Sequence, residues 1–320
     1  MNELEKNLNI PKIALGVWAW GSGAVGGDQV FGNHMGADEL RPVFQKALDE
    51  GLNLWDTAAV YGMGASETML GDFVKDVPRE SLLLSTKFTP QIAEEVENPG
   101  EKMIAGSFER LHTDVIDIYW IHNPADVAKW TPELIPLAKS GKVKYIGVSN
   151  HNLAEIQLAN QILAEEGLKV SALQNHYSLL HRSSEDAGIL EFAKENGMTF
   201  FSYMVLEQGA LSGNYDTAHP FPTGSDRAEA YNNSLPQLET LIQAMADMAK
   251  KYQGTVAQIA IAWAIAKGTV PIVGVTKVNQ VEDAAHAATI NLTSEEITQL
   301  EKLADQTKVN TLRNWEKPMA

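Results

Sequence analysis

The chain has 320 residues, 44 % hydrophobic and 21 % charged, which is the profile of a globular protein with ample core. A formal charge of −16 argues against nucleic acid as a partner, since that binding draws on Lys and Arg neutralising phosphates; the absence of cysteine excludes a disulfide framework and any Cys-based metal site. No apolar run reaches the roughly 18 to 20 residues that span a bilayer, and Met1-Asn2-Glu3-Leu4-Glu5-Lys6 lacks the basic and apolar regions of a signal peptide, so a cytoplasmic protein with no membrane partner is expected.

In chain order, Ile13-Ala14-Leu15-Gly16-Val17 predicts the first strand. Gly51 precedes a second that gives out at Asp56, with Tyr61 just beyond it, and a third runs from Leu82 to Lys87. The fourth, from Ile116, ends at His122. Thr131-Pro132-Glu133 predicts a helix start, with Thr131 as N-cap and Pro132 in the first turn, and Gly141 its stop before the strand that ends at Asn150. Gly167 and Gly197 precede strands ending at Gln174 and Tyr203. A loop rich in Gly, Pro, Asp and Asn then spans about Ser212 to Asn233, either a flap over a ligand or a tolerated surface insertion. Two helical stretches follow, Thr255-Val256-Ala257-Gln258 and Thr293-Ser294-Glu295-Glu296 fit the capping-box pattern, and the last strand ends at Gly274. Strand ends recur about every 30 residues until one gap of about 70. The expected fold is α/β: a parallel (β/α)8 TIM barrel with a long mouth-side loop and a C-terminal tail, one domain over residues 1–320.

Such barrels gather the C-terminal ends of their strands around one mouth, so Asp56, Tyr61, Lys87 and His122 are expected to meet there. A phenol holds its proton too tightly to be a good acid at neutral pH, and a neighbouring cation favours the phenolate, so Lys87 is expected to lower the pKa of Tyr61. Asp56 would compensate the ammonium, and His122 would donate a hydrogen bond to a substrate oxygen. The reaction this suits is carbonyl reduction; no side chain supplies a hydride, so a nicotinamide is implied. Each residue alone has a plainer reading: Tyr61 as a packing residue, Lys87 as a solvated charge, His122 as a satisfied core histidine, Asp56 as a turn cap. Four of them at the ends of three successive strands are less easily accidental. The eight histidines show no metal-ligand spacing, and no metal is expected.

The segments Asp56-Thr57-Ala58-Ala59-Val60-Tyr61-Gly62, Ser85-Thr86-Lys87, Ile121-His122-Asn123-Pro124 and Ile146-Gly147-Val148-Ser149-Asn150 resemble successive motifs of the aldo-keto reductase superfamily. The resemblance continues through Leu173 to Leu180, Tyr203 to Tyr215 and Pro271 to Lys277, and so covers nearly the whole chain. It implies a barrel that binds NADP(H) without a Rossmann fingerprint, with Asp56, Tyr61, Lys87 and His122 as the catalytic tetrad and Tyr61 as the acid. It also implies that Ser149, Asn150 and Gln174 hold the nicotinamide carboxamide, that the ring stacks on Tyr203 with Leu206 beyond it, and that Gly16, Val17 and Trp18 flank the ring. Gly274, Thr276, Lys277 and Gln280 would hold the 2′-phosphate and pyrophosphate. The chain departs from the family at Asn214, where Lys is common, at Gln280, where Arg or a similar donor is common, and at Ala284, where Asn contacts adenine. Lys277 would then carry the 2′-phosphate contact, which favours NADP(H) over NAD(H).

Trp18, Trp20, Trp55 and Trp315 are the candidates for an apolar substrate pocket. The substrate expected is a small aldehyde or ketone, aromatic or sugar-derived, and the protein a monomer or weak homo-oligomer. Two other readings stay open: a nicotinamide-binding regulatory or sensor protein with slow reductase activity, and a lyase using Lys87 as a Schiff base.

Overall fold

A computed structural model describes residues 1–319. Within them, eight parallel strands close into a barrel in sequence order. They are β1 (Ala14–Gly16), β2 (Leu54–Asp56), β3 (Leu83–Phe88), β4 (Ile116–Ile121), β5 (Val143–Ser149), β6 (Val170–His176), β7 (Thr199–Tyr203) and β8 (Val270–Gly274). The register of Ala14 with Ile272 and Gly16 with Gly274 closes the ring. Asp56, Tyr203 and Gly274 are last residues of their strands, as expected; His122 and Asn150 follow theirs directly, while Lys87 and Gln174 lie slightly inside.

Strand alternation sorts every side chain between two cores. Ala14, Leu54, Leu83, Ile118, Trp120, Ala172, Phe201 and Val270 fill the barrel, and Leu4 of the helix Glu3–Leu8 is buried against them. Leu15, Trp55, Leu84, Tyr119 and Leu173 point outward to the helices. Because Asp56 faces inward, its neighbour Trp55 must face outward, where it stacks on Phe44 with ring centroids 5.0 Å apart. Trp20 joins the same outer layer, 5.4 Å from Trp55, its indole donating to Val275 O at 2.6 Å. Both are buried among core side chains. This corrects the expectation that Trp20 and Trp55 line a substrate pocket. Inside the barrel, Trp120 passes so close to β5 that a Cβ on Gly147 would lie 2.2 Å from its ring. Only glycine fits there.

The capping boxes at Thr255 and Thr293 form as expected. Thr131 does not cap. Asp126 starts the helical segment earlier, accepting from Lys129 N–H at 3.0 Å, while the Thr131 hydroxyl is buried without a partner. Pro132 and Pro136 lack the N–H an α-helix would use, and the chain runs through a 3₁₀ turn (Thr131–Leu134) into Ile135–Lys139. The mouth-side loop carries the short helix Asp226–Tyr231 and its own small core of Ala210, Phe221, Ala228, Tyr231, Leu235 and Leu238. It packs on the helix Gly27–Phe31 that follows β1, so it bridges opposite sides of the barrel seam. Among the described residues no helix is long and apolar enough to cross a membrane.

Candidate active site

After Asp56 the chain turns sharply through Gly62 (φ 58°), Met63 (φ 51°) and Gly64 (φ 96°). A Cβ on Gly62 would sit 2.7 Å from Ser22 O, so glycine permits the turn that returns Tyr61 over β3. Lys87, fully buried, reaches Asp56 Oδ2 at 2.7 Å, Thr57 O at 2.7 Å and the Tyr61 hydroxyl at 3.4 Å. Its three protons thus have three acceptors. The other Asp56 oxygen accepts from Ser85 at 2.8 Å and Gln174 at 3.1 Å, and Ser85 accepts from Trp120 Nε1 at 2.6 Å. The close approach of Gly147 and Trp120 therefore fixes the carboxylate that holds Lys87.

Burial opposes the charge on Lys87, but Asp56 and Tyr61 outweigh it and raise the pKa above the ordinary lysine value. For Tyr61 burial is the stronger influence: it pushes the phenol up, and the downward pull of Lys87 only moderates that. Lys87 thus pulls the phenol down as expected, but the net direction is upward, because a phenolate shielded from water costs more than the nearby ammonium returns. Burial and the Lys87 charge hold His122 well below the usual histidine pKa, so it is neutral. Its Nδ1 lies 2.8 Å from Thr89 Oγ1. Assigning the Thr89 proton to that bond uses a hydroxyl with no other acceptor among the described residues, and leaves Nε2–H as a donor. Tyr61 and His122 meet edge to face at 5.8 Å, and Trp18 stacks on Tyr61 at 5.0 Å.

Several observations suit a flat cofactor beside these groups. Inward-facing Gly16 and Gly274 are paired across the β1–β8 seam, and the space where a Gly274 side chain would stand is open. Ser149 accepts from Asn150 Nδ2 at 3.2 Å, leaving its own proton uncommitted, and Gln174, tied to Asp56 through Nε2, keeps its Oε1. The Val17 side chain lies in the outer core and its backbone is engaged, the N–H donating to Asp56 O and the carbonyl accepting from Trp20 N–H and Ser66 Oγ, so Val17 offers a cofactor no free polar group. Leu206 is partly buried against that same core. Lys277 is exposed and in no ion pair among the described residues. Gln280 Oε1 accepts from Thr276 N–H at 2.7 Å and Lys277 N–H at 3.0 Å, closing the N-terminus of the helix Val278–Ala287 and leaving only its Nε2 for a phosphate. Ala284 is buried in the outer core. The sequence reading missed Arg227, Gln208 and Arg313, whose buried Nε, Nε2 and Nε atoms have no partner. Unspent donors, two of them on guanidinium groups, suit phosphate oxygens. Arg227 in the expected flap and Arg313 in the C-terminal tail were the available signal.

A second buried cluster was not foreseen. His176 projects inward two residues after Gln174 and is bonded on both nitrogens, to Glu207 at 2.8 Å and Glu316 at 3.0 Å. Burial disfavours its charge, yet the two carboxylates raise its pKa to about 9. Burial and the His176 charge push neighbouring His181 down to about 4. Ligand atoms of His176, His181 and Glu316 lie within 4.8 Å of one another, which invites a metal. The two imidazoles, however, are stacked 4.0 Å apart at 13°, so their in-plane lone pairs cannot converge on one ion. The cluster is an ion triad under a ring stack.

A model of the Aldo/keto reductase family matches residues 12–305. The chain is 32 % identical to a chloroplastic pyridoxal reductase of Arabidopsis thaliana, over 96 % of this chain and 87 % of that protein. It is also 32 % identical to an aldo-keto reductase of Gibberella moniliformis, over 90 % of each. Among solved structures, a thermostable aldo-keto reductase in complex with the inhibitor epalrestat superposes with a TM-score of 0.74 at 26 % identity, covering 92 % of this chain and 95 % of that one.

Proposed function

The chain belongs to the aldo-keto reductase family of NAD(P)H-dependent carbonyl reductases, and on that premise we propose that it reduces a small aldehyde or ketone to the alcohol with Tyr61 as general acid. The observation that carries this reading is the buried Lys87 ammonium, neutralised by Asp56 and aimed at the Tyr61 hydroxyl. A bound nicotinamide supplies the hydride to the carbonyl carbon. Tyr61 passes its proton to the carbonyl oxygen as negative charge develops there, and Lys87 stabilises the phenolate left behind. Asp56 keeps Lys87 charged and in place. Neutral His122 offers Nε2–H to the same oxygen and fixes its direction. A Schiff-base lyase needs a free, neutral amine, whereas Lys87 is charged with all its protons engaged.

The residues we assign to the cofactor are Ser149, Asn150, Gln174 and Tyr203 at the nicotinamide, the backbone of Gly16 and Val17 beside it, and Gly274, Thr276 and Lys277 with Arg227 and Arg313 toward the phosphates. Trp18 contributes its ring to the substrate wall, with Phe31 5.4 Å and Trp315 6.0 Å away. That wall favours a flat aromatic aldehyde over a sugar, in keeping with the pyridoxal named for the Arabidopsis relative. We take residues 1–320 to work as one barrel domain, and the cysteine-free composition supports a cytoplasmic setting.

The test is NADPH oxidation over a panel of aromatic, aliphatic and sugar carbonyls, with aromatic aldehydes expected to turn over fastest. Tight NADPH binding with negligible turnover on every carbonyl would instead make the protein a nicotinamide sensor. Cofactor choice is tested separately. A Lys277 contact to the 2′-phosphate exists for NADPH and not for NADH, and a charge-assisted bond of about 1.5 to 3 kcal/mol corresponds to about 10- to 100-fold. Lys277→Ala is expected to weaken NADPH by that factor and leave NADH nearly unchanged; equal losses would place Lys277 on the shared pyrophosphate.

A further inference from the structure

The far end of the chain is bonded into the ring stack that carries Tyr203. One face of Tyr203 lies on His176 at 5.6 Å and 28°, and His176 lies in turn on His181. The Tyr203 hydroxyl is 2.5 Å from Asn150 Oδ1 and 2.7 Å from Glu316 Oε1, with the charged carboxylate the stronger acceptor. Glu316 Oε2 meets His176 Nδ1, whose other nitrogen is held by Glu207; Glu207 is fixed by Ser178 and by Tyr231 at 2.5 Å. Glu316 is thus the group that touches both Tyr203 and His176. Its carboxylate is 1 % exposed, so this is a buried clamp and not a surface contact.

The tail around it has further anchors. Arg313 bonds Gln208 and covers the Tyr231 ring at 4.5 Å, Lys317 pairs with Glu155, and Met319 is buried beside Asn175. These contacts hold the tail on the β5–β7 side of the mouth, and Glu316 adds one of its own, its Oε2 accepting from Arg313 N–H at 3.1 Å.

We propose that Glu316 is a positioning residue for the cofactor: by clamping Tyr203 to His176 it fixes the ring on which the nicotinamide stacks, which makes the C-terminal tail part of the cofactor site as well as of the substrate wall. This rests on the reading of Tyr203 as the nicotinamide platform. A phenol ring free to swing must be ordered each time a ligand stacks on it, and that ordering subtracts from affinity. With Glu316 in place the ring is ordered beforehand.

Binding of NADPH and of 2′-phospho-ADP-ribose, which lacks the nicotinamide, to the full chain tests this by calorimetry. Glu316→Ala is expected to weaken NADPH about tenfold, the scale of one charge-assisted hydrogen bond, and to change binding of the fragment by less than about twofold on the same scale. In turnover, the loss should fall on KM for NADPH and not on kcat. Glu316→Gln, whose amide oxygen still accepts one bond, should recover part of it. Tyr203→Phe should reproduce the defect, and the double variant should be no worse than either single one, since both break the same contact. Equal weakening of NADPH and fragment would overturn the proposal by showing a general loss of tail structure. Unchanged NADPH binding in Glu316→Ala, with a loss in Tyr203→Ala, would overturn it while sparing the platform. No loss in either variant would remove the platform as well.

Discussion

Tyr61→Phe is expected to lower carbonyl reduction by about 10²- to 10⁴-fold, the usual worth of a positioned general acid, with NADPH binding intact. The substitution keeps the ring that stacks on Trp18 and removes the hydroxyl 3.4 Å from Lys87. Lys87 retains Asp56 and Thr57 O as acceptors, so folding should be preserved. Steady-state rates beside calorimetric NADPH affinity separate chemistry from binding. Turnover close to the parent's would take the acid role away from Tyr61.

Lys87→Met should cost both activity and stability, for different reasons. Lys87 is the group that pulls the Tyr61 pKa down against burial. Without it the phenol becomes a weaker acid, so reduction slows, and the alkaline limb of the rate profile, where the phenol loses its proton, moves to higher pH. Asp56 is left as a buried carboxylate bonded to Ser85 and Gln174 but with no counter-charge, and breaking a buried pair by removing one partner typically costs about 3 to 5 kcal/mol. The double variant Asp56→Asn/Lys87→Met resolves the two effects. It should recover most of the thermal stability and none of the rate. Recovery of both would reduce the pair to a structural element, with Tyr61 acting unaided.

The candidate quartet was legible because the information is local. Asp56, Lys87 and His122 each occupy an inward position at the mouth end of a strand, and Tyr61 lies five residues past Asp56, so hydrophobic alternation and a repeat of about 30 residues suffice to bring them together. The same alternation implied that Trp55, next to Asp56, turns outward. Trp20 offered no such clue, since it sits in a turn after β1 whose packing depends on Trp55 and Phe73 from other units.

By itself the sequence determined the barrel, its strand ends and the meeting of Asp56, Tyr61, Lys87 and His122, because strand periodicity and helix punctuation act over a few residues and a parallel barrel converts them into positions around one mouth. Only the tertiary structure decided the acidity of Tyr61, where burial prevails over Lys87, and the start of the helical segment at Asp126 in place of Thr131. It alone brought Glu316 to His176 across 140 residues. Desolvation depends on everything packed around a group, and a tail contact depends on where the rest of the fold ends. Neither leaves a periodic trace in the residues that take part.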